Sequence, residues 1–400
     1  MSHQRVLPIA LTGFFFATIA MLSACGGGGS STPAPDTPPP INGYQYQPPS
    51  GKSDGWTVAY LNAVGINQAR IENAVTRIQQ NQVPYRFIDA MAIARQGKLV
   101  FEKRFRSQLD YTDELADNRD IDLHITYSVS KSFAGALIGI AIDKGYLPSV
   151  DVKVHDYFWD KQPIANWSEQ KANITLRDWL TMQSGYAWDE WSTPYGDARN
   201  SHTQMLNTAD PTQFLLDLPL ATTPGTTFAY STGVSFGLGD LIRRASGQSI
   251  NAFLEEHLFQ PLSIDRYDAW LTDGQIHLGG ALYLTIRDMA KLGQLYLDEG
   301  VWNGQRIVSS EWVRESTRHQ LSEPTNSYGY HWWITSFNVN GGNYPAYSAA
   351  GLGGQFIYVI PELQAVIAFH GSTYLATAPG QSDARHIIAQ DLIPAMLAGP

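Results

Sequence analysis

The stretch that decides the fold is YSVSKSFAGALIGIA, residues 127–141. Its apolar residues recur at i, i+3, i+4, i+7 and i+8, and they are Phe133, Ala136, Leu137, Ile140 and Ala141. This spacing predicts a helix whose apolar stripe packs against a core. The helix is expected to end at Gly145, because Pro148 follows just beyond it.

The first turn of this helix carries a candidate nucleophile. Ser128 and Lys131 stand at i and i+3, which places a hydroxyl and an amine side by side on one helical face. Lysine can remove the serine proton only when it is neutral, a state that desolvation favours. The helix N-terminus adds N–H groups that suit an oxyanion. The alternative is two surface residues. A second S-x-x-K match at residues 168–171 lies in a polar run and is interpreted as solvated surface.

Composition excludes some classes of function. The 400 residues are 44% apolar, enough for a sizeable core, and the net charge of −10 leaves no basic surface for nucleic acid. An acidic, aromatic-rich surface suggests neutral or amphiphilic small substrates. None of the 10 histidines falls in a close metal-ligand spacing, so no metal or other cofactor is expected.

Residues 1–25 have the pattern of an export signal. Arg5 precedes an apolar run over residues 6–22, and the run ends in LSAC, where Cys25 is the only cysteine. A lone cysteine excludes an internal disulfide framework. The tetrapeptide resembles the lipobox of bacterial lipoproteins, which implies a lipid on Cys25 and membrane attachment in the cell envelope. Gly26 favours the outer membrane of a Gram-negative host. The alternatives are a free thiol after cleavage nearby, or an uncleaved anchor.

The rest of the chain divides into a tether and a folded region. Residues 26–52 are rich in Gly, Ser and Pro and predict a linker, and residues 53–400 predict one domain. Two hairpins are expected, over residues 87–105 and 355–370. Residues 328–333 are a candidate aromatic strand. Strands at both ends, in residues 53–125 and 265–400, with mostly helices in residues 126–264, predict an α+β fold.

Two further segments supply candidate partners for Ser128. Tyr230 follows a Pro-Gly turn and precedes a helix, so its phenol is a candidate for relaying the serine proton. Residues 349–355, AAGLGGQ, place small side chains before a strand, where Gly351 permits close approach of a substrate. The N–H of Leu352 is the candidate second oxyanion donor, beside that of Ser128. Tyr186, Trp188 and Trp191 lie in a loop that can line the cleft, and Trp188 is the candidate for substrate binding, although packing in the core is the more common role of any one such ring.

These three elements, in this order, resemble the serine beta-lactamase and penicillin-binding protein superfamily, in particular its class C-like branch of esterases and 6-aminohexanoate-dimer hydrolases. The resemblance covers residues 85–397 and includes LTMQSG at 180–185, GGAL at 279–282 and YGYHWW at 328–333. It implies a beta-lactamase/transpeptidase-like fold. It also implies that Ser128 is the acylated nucleophile, Lys131 its base partner and Tyr230 the tyrosine of the second motif.

Two departures from the family pattern bear on the substrate. The Y-x-N motif ends in Thr232, and the K-T-G motif falls on residues 349–351, where Ala349 replaces the lysine. Such a lysine would bind the carboxylate of a beta-lactam or a peptidoglycan peptide. We therefore expect a serine hydrolase acting on an ester or linear amide of a small molecule. The alternatives are a beta-lactamase, a D-alanyl-D-alanine carboxypeptidase-like enzyme, or a non-catalytic envelope binding module.

A competing nucleophile is Ser235, which lies in a G-x-S-x-G match. That motif belongs to α/β-hydrolases, whose alternating parallel strands and helices are not evident in this sequence. Its glycines are interpreted as helix-packing residues.

Overall fold

The computed structural model describes residues 43–115, 120–321 and 326–400. The predicted signal, its lipidation site Cys25 and most of the predicted linker lie outside these ranges. The folded part begins before Ser53, the start that we predicted. The Tyr46 side chain is buried, and its hydroxyl donates to the Val100 carbonyl at 2.7 Å. Among the described residues, no helix has the length and apolar character to cross a membrane.

The strands of the described residues are β1 (Thr57–Val58), β2 (Ile88–Arg95), β3 (Lys98–Arg104), β4 (His124–Ile125), β5 (Asp268–Ala269), β6 (Leu271–Thr272), β7 (Gln275–Ile276), β8 (Leu282–Leu284), β9 (Val301–Trp302), β10 (Gln305–Arg306), β11 (Trp333–Val339), β12 (Gly342–Gly351), β13 (Gln355–Ile360) and β14 (Ala365–Gly371). The main sheet has seven strands in the order β1-β3-β2-β14-β13-β12-β11, and only β1 with β3 is parallel. A small sheet joins β4, β8 and β5. The predicted α+β class is confirmed.

The α-helices of the described residues are α1 (Gln68–Gln79), α2 (Ser130–Asp143), α3 (Glu169–Ala172), α4 (Leu176–Leu180), α5 (Ser201–Leu206), α6 (Pro211–Asp217), α7 (Thr232–Ser246), α8 (Ile250–Leu254), α9 (Ile286–Leu297), α10 (Ser310–Ser316), α11 (Ala384–Ile387) and α12 (Ile393–Leu397). Single π-helical turns follow α8 and α11. The Thr285 side chain accepts from the Asp288 N–H and caps the N-terminus of α9.

The main sheet separates two hydrophobic cores because its central strands are apolar on both faces. In β2, Ala92 and Ala94 pack into the core that also contains α2, α7 and α9. The alternate residues Met91 and Ile93 pack into the core formed with α1 and the C-terminal helices. Helix α2 is buried on every side, not only along its predicted stripe, since all residues from Ser130 to Ala141 are buried.

Both predicted hairpins are confirmed, and three others in the described residues were missed. β2 and β3 pair across a turn at Gln96 and Gly97, whose φ angles of 52° and 73° suit a tight hairpin turn. β13 and β14 pair as expected. The longest missed hairpin joins β11 to β12, and the two short ones join β6 to β7 and β9 to β10. The prediction of an aromatic strand at residues 328–333 is wrong, since regular strand pairing begins only at Trp333, the first residue of β11. Residues 349–351 were expected to precede a strand, and they also form the end of β12.

Candidate active site

Ser128 lies in a single 3-10 turn, Tyr127–Val129, that connects β4 to α2. The Thr126 N–H donates to the Leu282 carbonyl at 2.8 Å, and the Leu282 N–H donates to Ser130 Oγ at 3.1 Å. Both sides of the turn are therefore fastened to β8. The residue before the serine has a φ of +45°, a conformation that is unfavourable for a bulky side chain. The Ser128 hydroxyl therefore lies on a turn with an unfavourable backbone conformation, and hydrogen bonds to β8 hold this turn in place.

Lys131 is buried in the first turn of α2, and its amine contacts the serine. Lys131 Nζ lies 2.9 Å from Ser128 Oγ and donates to the carbonyl of Gly279. Burial lowers the pKa of the Lys131 amine to about 8, whereas the nearby Glu190 carboxylate acts to raise it. A substantial fraction of the amine is therefore neutral in mildly alkaline solution. The predicted contact between Ser128 and Lys131 is present.

Tyr230 reaches the same pair from the extended segment before α7. Lys131 Nζ lies 5.0 Å from the centroid of the Tyr230 ring. Burial raises the pKa of the Tyr230 phenol, Glu190 raises it further, and a hydrogen bond with Ser128 opposes both effects. The phenol therefore keeps its proton at neutral pH. The three predicted residues form one contiguous group.

A buried carboxylate that the sequence did not single out, Glu190, lies behind this group, and its side chain is only 1% exposed. One carboxylate oxygen accepts from the Thr232 N–H at 2.7 Å and from the Trp188 indole N–H at 2.7 Å. The other accepts from the Thr232 hydroxyl at 2.8 Å and from the Tyr195 hydroxyl at 2.9 Å. These donors compensate for burying a charge. Thr232 replaces the family's asparagine, and both its N–H and its hydroxyl donate to Glu190 within the protein.

Three histidines lie close enough to feel the Lys131 charge; His277 and His331 are buried, and His202 is half-buried. Burial lowers the pKa values of His202, His277 and His331 to about 3, so all three rings are neutral at physiological pH. His277 Nδ1 accepts from the Gly279 N–H at 3.2 Å. This bond helps to hold the residue whose carbonyl receives Lys131.

Gly351 brings the end of β12 against the serine turn. A Cβ atom on this residue would lie 2.4 Å from the Thr126 carbonyl oxygen and 3.2 Å from Ser128 N, so a side chain would clash. The predicted close approach is therefore present. Leu352 begins the turn that follows, with its side chain 39% exposed. Ala349 is buried within β12.

The interpretation of Trp188 as a cleft residue is wrong. Its side chain is 7% exposed, and a Cβ atom on Gly233 would come within 2.6 Å of its ring, so it packs against α7 as well as supporting Glu190. Trp191 is the exposed aromatic residue of this loop, at 51%. Its ring stacks on Tyr230 with a centroid distance of 5.0 Å, and Trp333 stacks on the same ring at 6.0 Å.

Ser235 is a buried residue of helix α7 and not a nucleophile elbow. Its Oγ lies 2.9 Å from His331 Nε2, and both side chains are enclosed in the core. A Cβ atom on Gly237 would lie 2.8 Å from the Trp179 ring. The interpretation of these glycines as helix-packing residues is confirmed.

The second S-x-x-K match is also structural, although Lys171 is not solvated as the polar run suggested. Its side chain is buried, and Nζ donates to the Ala165 carbonyl at 2.7 Å. Ser168 accepts from the Lys171 N–H at 3.1 Å and caps the short helix α3. The interpretation as solvated surface was therefore wrong, because an internal carbonyl compensates for burial of the amine.

The packing of α7 gives a stability prediction. We expect Gly237→Ala to lower the free energy of unfolding by about 1–3 kcal/mol, since the new Cβ would overlap Trp179. In the same helix, a Cβ atom on Gly239 would meet its nearest neighbours only at 3.6 Å, an ordinary contact distance. Gly239→Ala should therefore be neutral or stabilise by up to about 1 kcal/mol. Urea unfolding of both variants and the parent measures the difference. Equal effects would contradict a packing role for Gly237.

The arrangement combines a hydroxyl, a partly neutral amine and a phenol at the edge of a sheet, which suits acyl transfer. Within the described ranges, no group of three His, Cys, Asp or Glu side chains is placed to hold a metal ion.

Comparison with known proteins agrees with this geometry. Residues 89–392 match the model of the Beta-lactamase family, and this is well over half of the sequence. The chain belongs to the beta-lactamase family. Its fold is the beta-lactamase/transpeptidase-like fold, and it is related to the serine beta-lactamases and penicillin-binding proteins.

Relatives of this chain include hydrolases. The 6-aminohexanoate-dimer hydrolase of Paenarthrobacter ureafaciens is 28% identical over 275 residues, covering 62% of this chain and 65% of that protein. Beta-lactamase-like protein 4 of Dictyostelium discoideum is 25% identical over 268 residues, covering 58% and 46%. The chain thus spans less than two thirds of either curated relative. A solved family VIII carboxylesterase has a TM-score of 0.61 at 17% identity, covering 82% of this chain and 96% of that one. These relatives support an enzyme with the beta-lactamase fold.

Proposed function

We propose that the protein is a serine hydrolase that cleaves an ester or linear amide bond of a small molecule through an acyl-enzyme on Ser128. The observation that carries the proposal is the clustering of three groups. Lys131 Nζ lies 2.9 Å from Ser128 Oγ and 5.0 Å from the centroid of the Tyr230 ring. A nucleophile, a base with a lowered pKa and a protonated phenol are the components that acyl transfer needs.

The reaction proceeds in two stages. Ser128 Oγ attacks the carbonyl carbon while its proton passes to the Lys131 and Tyr230 pair. The oxyanion lies near the backbone N–H groups of Ser128 and Leu352. The intermediate collapses, the carbon–oxygen or carbon–nitrogen bond breaks, and Tyr230 protonates the departing alcohol or amine. Water then attacks the acyl ester, gives its proton to the same pair and releases the carboxylic acid and free Ser128.

The substrate class follows from what faces the site. Ala349 replaces the lysine that binds a substrate carboxylate in the family motif, and its side chain is buried. The Thr232 hydroxyl is already engaged, because it donates to Glu190. Beta-lactams and peptidoglycan peptides both carry a carboxylate that would lack its cationic partner here. Esters and linear amides without this requirement fit the site better.

A panel of substrates tests the proposal. We expect purified protein to hydrolyse p-nitrophenyl esters of short acids with kcat/KM at least about 100-fold higher than that for nitrocefin. Oligomers of 6-aminohexanoate test the linear amide arm in the same assay series. Turnover of nitrocefin as efficient as that of the esters would contradict the interpretation of Ala349. Absence of turnover for every substrate would favour a non-catalytic binding module.

A further inference from the structure

A second aromatic surface adjoins the serine on the side of residue 127. We call it the tyrosine wall, and it consists of Tyr111, Tyr127, Trp270 and Tyr374. Tyr127 meets Trp270 with a ring centroid distance of 6.2 Å and Tyr374 with one of 6.3 Å. Tyr111 meets Tyr374 at 5.7 Å. All three contacts are edge-to-face, so the wall presents both ring faces and ring edges.

The tyrosine wall lies next to the proposed reacting atoms. Tyr127 immediately precedes Ser128 in the serine turn. Tyr374 packs over Gly353, where a Cβ atom would lie 2.2 Å from its ring, and Gly353 follows the close approach at Gly351. Tyr111 is 54% exposed, and the other members are partly exposed. A group attached to a scissile carbonyl at Ser128 can therefore reach this surface.

The carboxylate of Asp110 adjoins the tyrosine wall. The Tyr374 hydroxyl donates to Asp110 Oδ2 at 2.8 Å, and Asp110 is partly exposed. Within the ranges that the structure describes, Asp110 forms no ion pair, whereas the nearby Asp113 pairs with Arg106. Burial, and to a smaller extent the Asp110 charge, raises the pKa of the Tyr111 phenol. The aromatic surface therefore lies beside a carboxylate whose charge is not compensated by those residues.

Aromatic faces beside a carboxylate are the chemistry that binds an organic cation. A purely apolar substrate group would gain from the rings but would bring no counterion to the Asp110 charge, which forms no ion pair with the residues that the structure describes. We propose that the tyrosine wall and Asp110 form a subsite for an alkylammonium group of the substrate. The inference deepens the proposed function and rests on it, because the subsite is defined by its position beside the serine turn. On this proposal, the site lacks the lysine of the family motif but carries another charged group that recognises substrate, the Asp110 carboxylate.

Matched esters test the subsite. Three p-nitrophenyl esters have acyl chains of equal length that end in trimethylammonium, its neutral tert-butyl isostere, or carboxylate. A second set places the first two groups on the alcohol side. In the better orientation, we expect kcat/KM for the cationic ester to exceed that for the neutral isostere by about tenfold. The carboxylate ester should be the poorest. A ratio of one or less in both orientations would overturn the proposal.

Two variants locate the effect. We expect Asp110→Asn to lower the cationic-to-neutral ratio of kcat/KM about fivefold, through the KM of the cationic ester. Asp122→Asn is the matched control, because this exposed carboxylate pairs with Arg104 at 2.6 Å and should leave the ratio unchanged. An unchanged ratio in Asp110→Asn would contradict the subsite.

Binding of a cation alone separates this inference from the proposed function. Trp270 belongs to the tyrosine wall, so titration with an alkyltrimethylammonium ion should change the tryptophan fluorescence in the parent and less so in Asp110→Asn. If no ester is hydrolysed and this binding remains, the proposed reaction fails and the subsite stands. If esters are hydrolysed and the two titrations are identical, the subsite fails alone.

Discussion

Replacing Ser128 by alanine is expected to lower kcat/KM for p-nitrophenyl esters by about 10⁴-fold or more. The side chain supplies the atom that forms the acyl-enzyme, and no other hydroxyl contacts Lys131 among the hydrogen bonds of the described residues. Losses of this size are usual when a serine nucleophile is removed, since only binding and oxyanion stabilisation remain. Initial rates at saturating and limiting substrate measure the effect on kcat and on KM separately.

The control for this prediction is the other serine that the sequence offers. Ser235→Ala removes the hydroxyl that lies 2.9 Å from His331 Nε2 in the core. We expect it to cost about 1 kcal/mol of stability and to leave kcat/KM within about threefold of the parent. Loss of ester hydrolysis in Ser235→Ala alone, with Ser128→Ala still active, would show that the nucleophile is wrongly assigned.

Lys131→Met is expected to lower kcat/KM by roughly 10³- to 10⁵-fold, mainly through kcat, because the serine loses the base beside it. Methionine is close to lysine in size and suits a buried position, so the thermal unfolding temperature should not fall. The double variant Ser128→Ala, Lys131→Met should be no slower than Ser128→Ala, since residues that act as a unit are not additive. A Lys131→Met enzyme within tenfold of the parent would exclude the amine as the base.

The pH dependence of kcat/KM in the parent enzyme also tests whether Lys131 accepts the serine proton. Because burial lowers the pKa of Lys131 to about 8, the neutral amine accumulates as pH rises through that value. We therefore expect log kcat/KM to rise with pH up to about 8 and then to level off. Glu190 acts to raise this pKa, so Glu190→Gln should move the rise to lower pH. A profile without this rise would contradict proton transfer to Lys131.

Local sequence signals predicted the elements that carry the site. The hairpin over residues 87–105 and the contact of Ser128 with Lys131 both depend on residues close together in the chain. Tyr230 and Gly351 were candidates from their local sequence, the order of the family motifs supported their roles, and the structure brings both to the serine turn. Short-range geometry and a known motif order were sufficient for these residues.

The residues that sequence reasoning missed depend on distant partners. A glutamate between tryptophans gives no sign of burial, and Glu190 is stable inside only because Thr232 and two other side chains donate to it. Trp188 and Trp191 lie on an irregular loop without periodicity, so the sequence did not indicate which ring faces the core. The buried Lys171 similarly depends on the carbonyl of Ala165.

The most direct test of the central claim is covalent labelling with a fluorophosphonate probe, followed by peptide mapping with mass spectrometry. The probe forms a stable bond with an activated serine, as the proposed substrate would form transiently. We predict one adduct, on the peptide that contains Ser128, and none in Ser128→Ala. Labelling of Ser235, or an active hydrolase whose Ser128 stays unlabelled, would contradict the account.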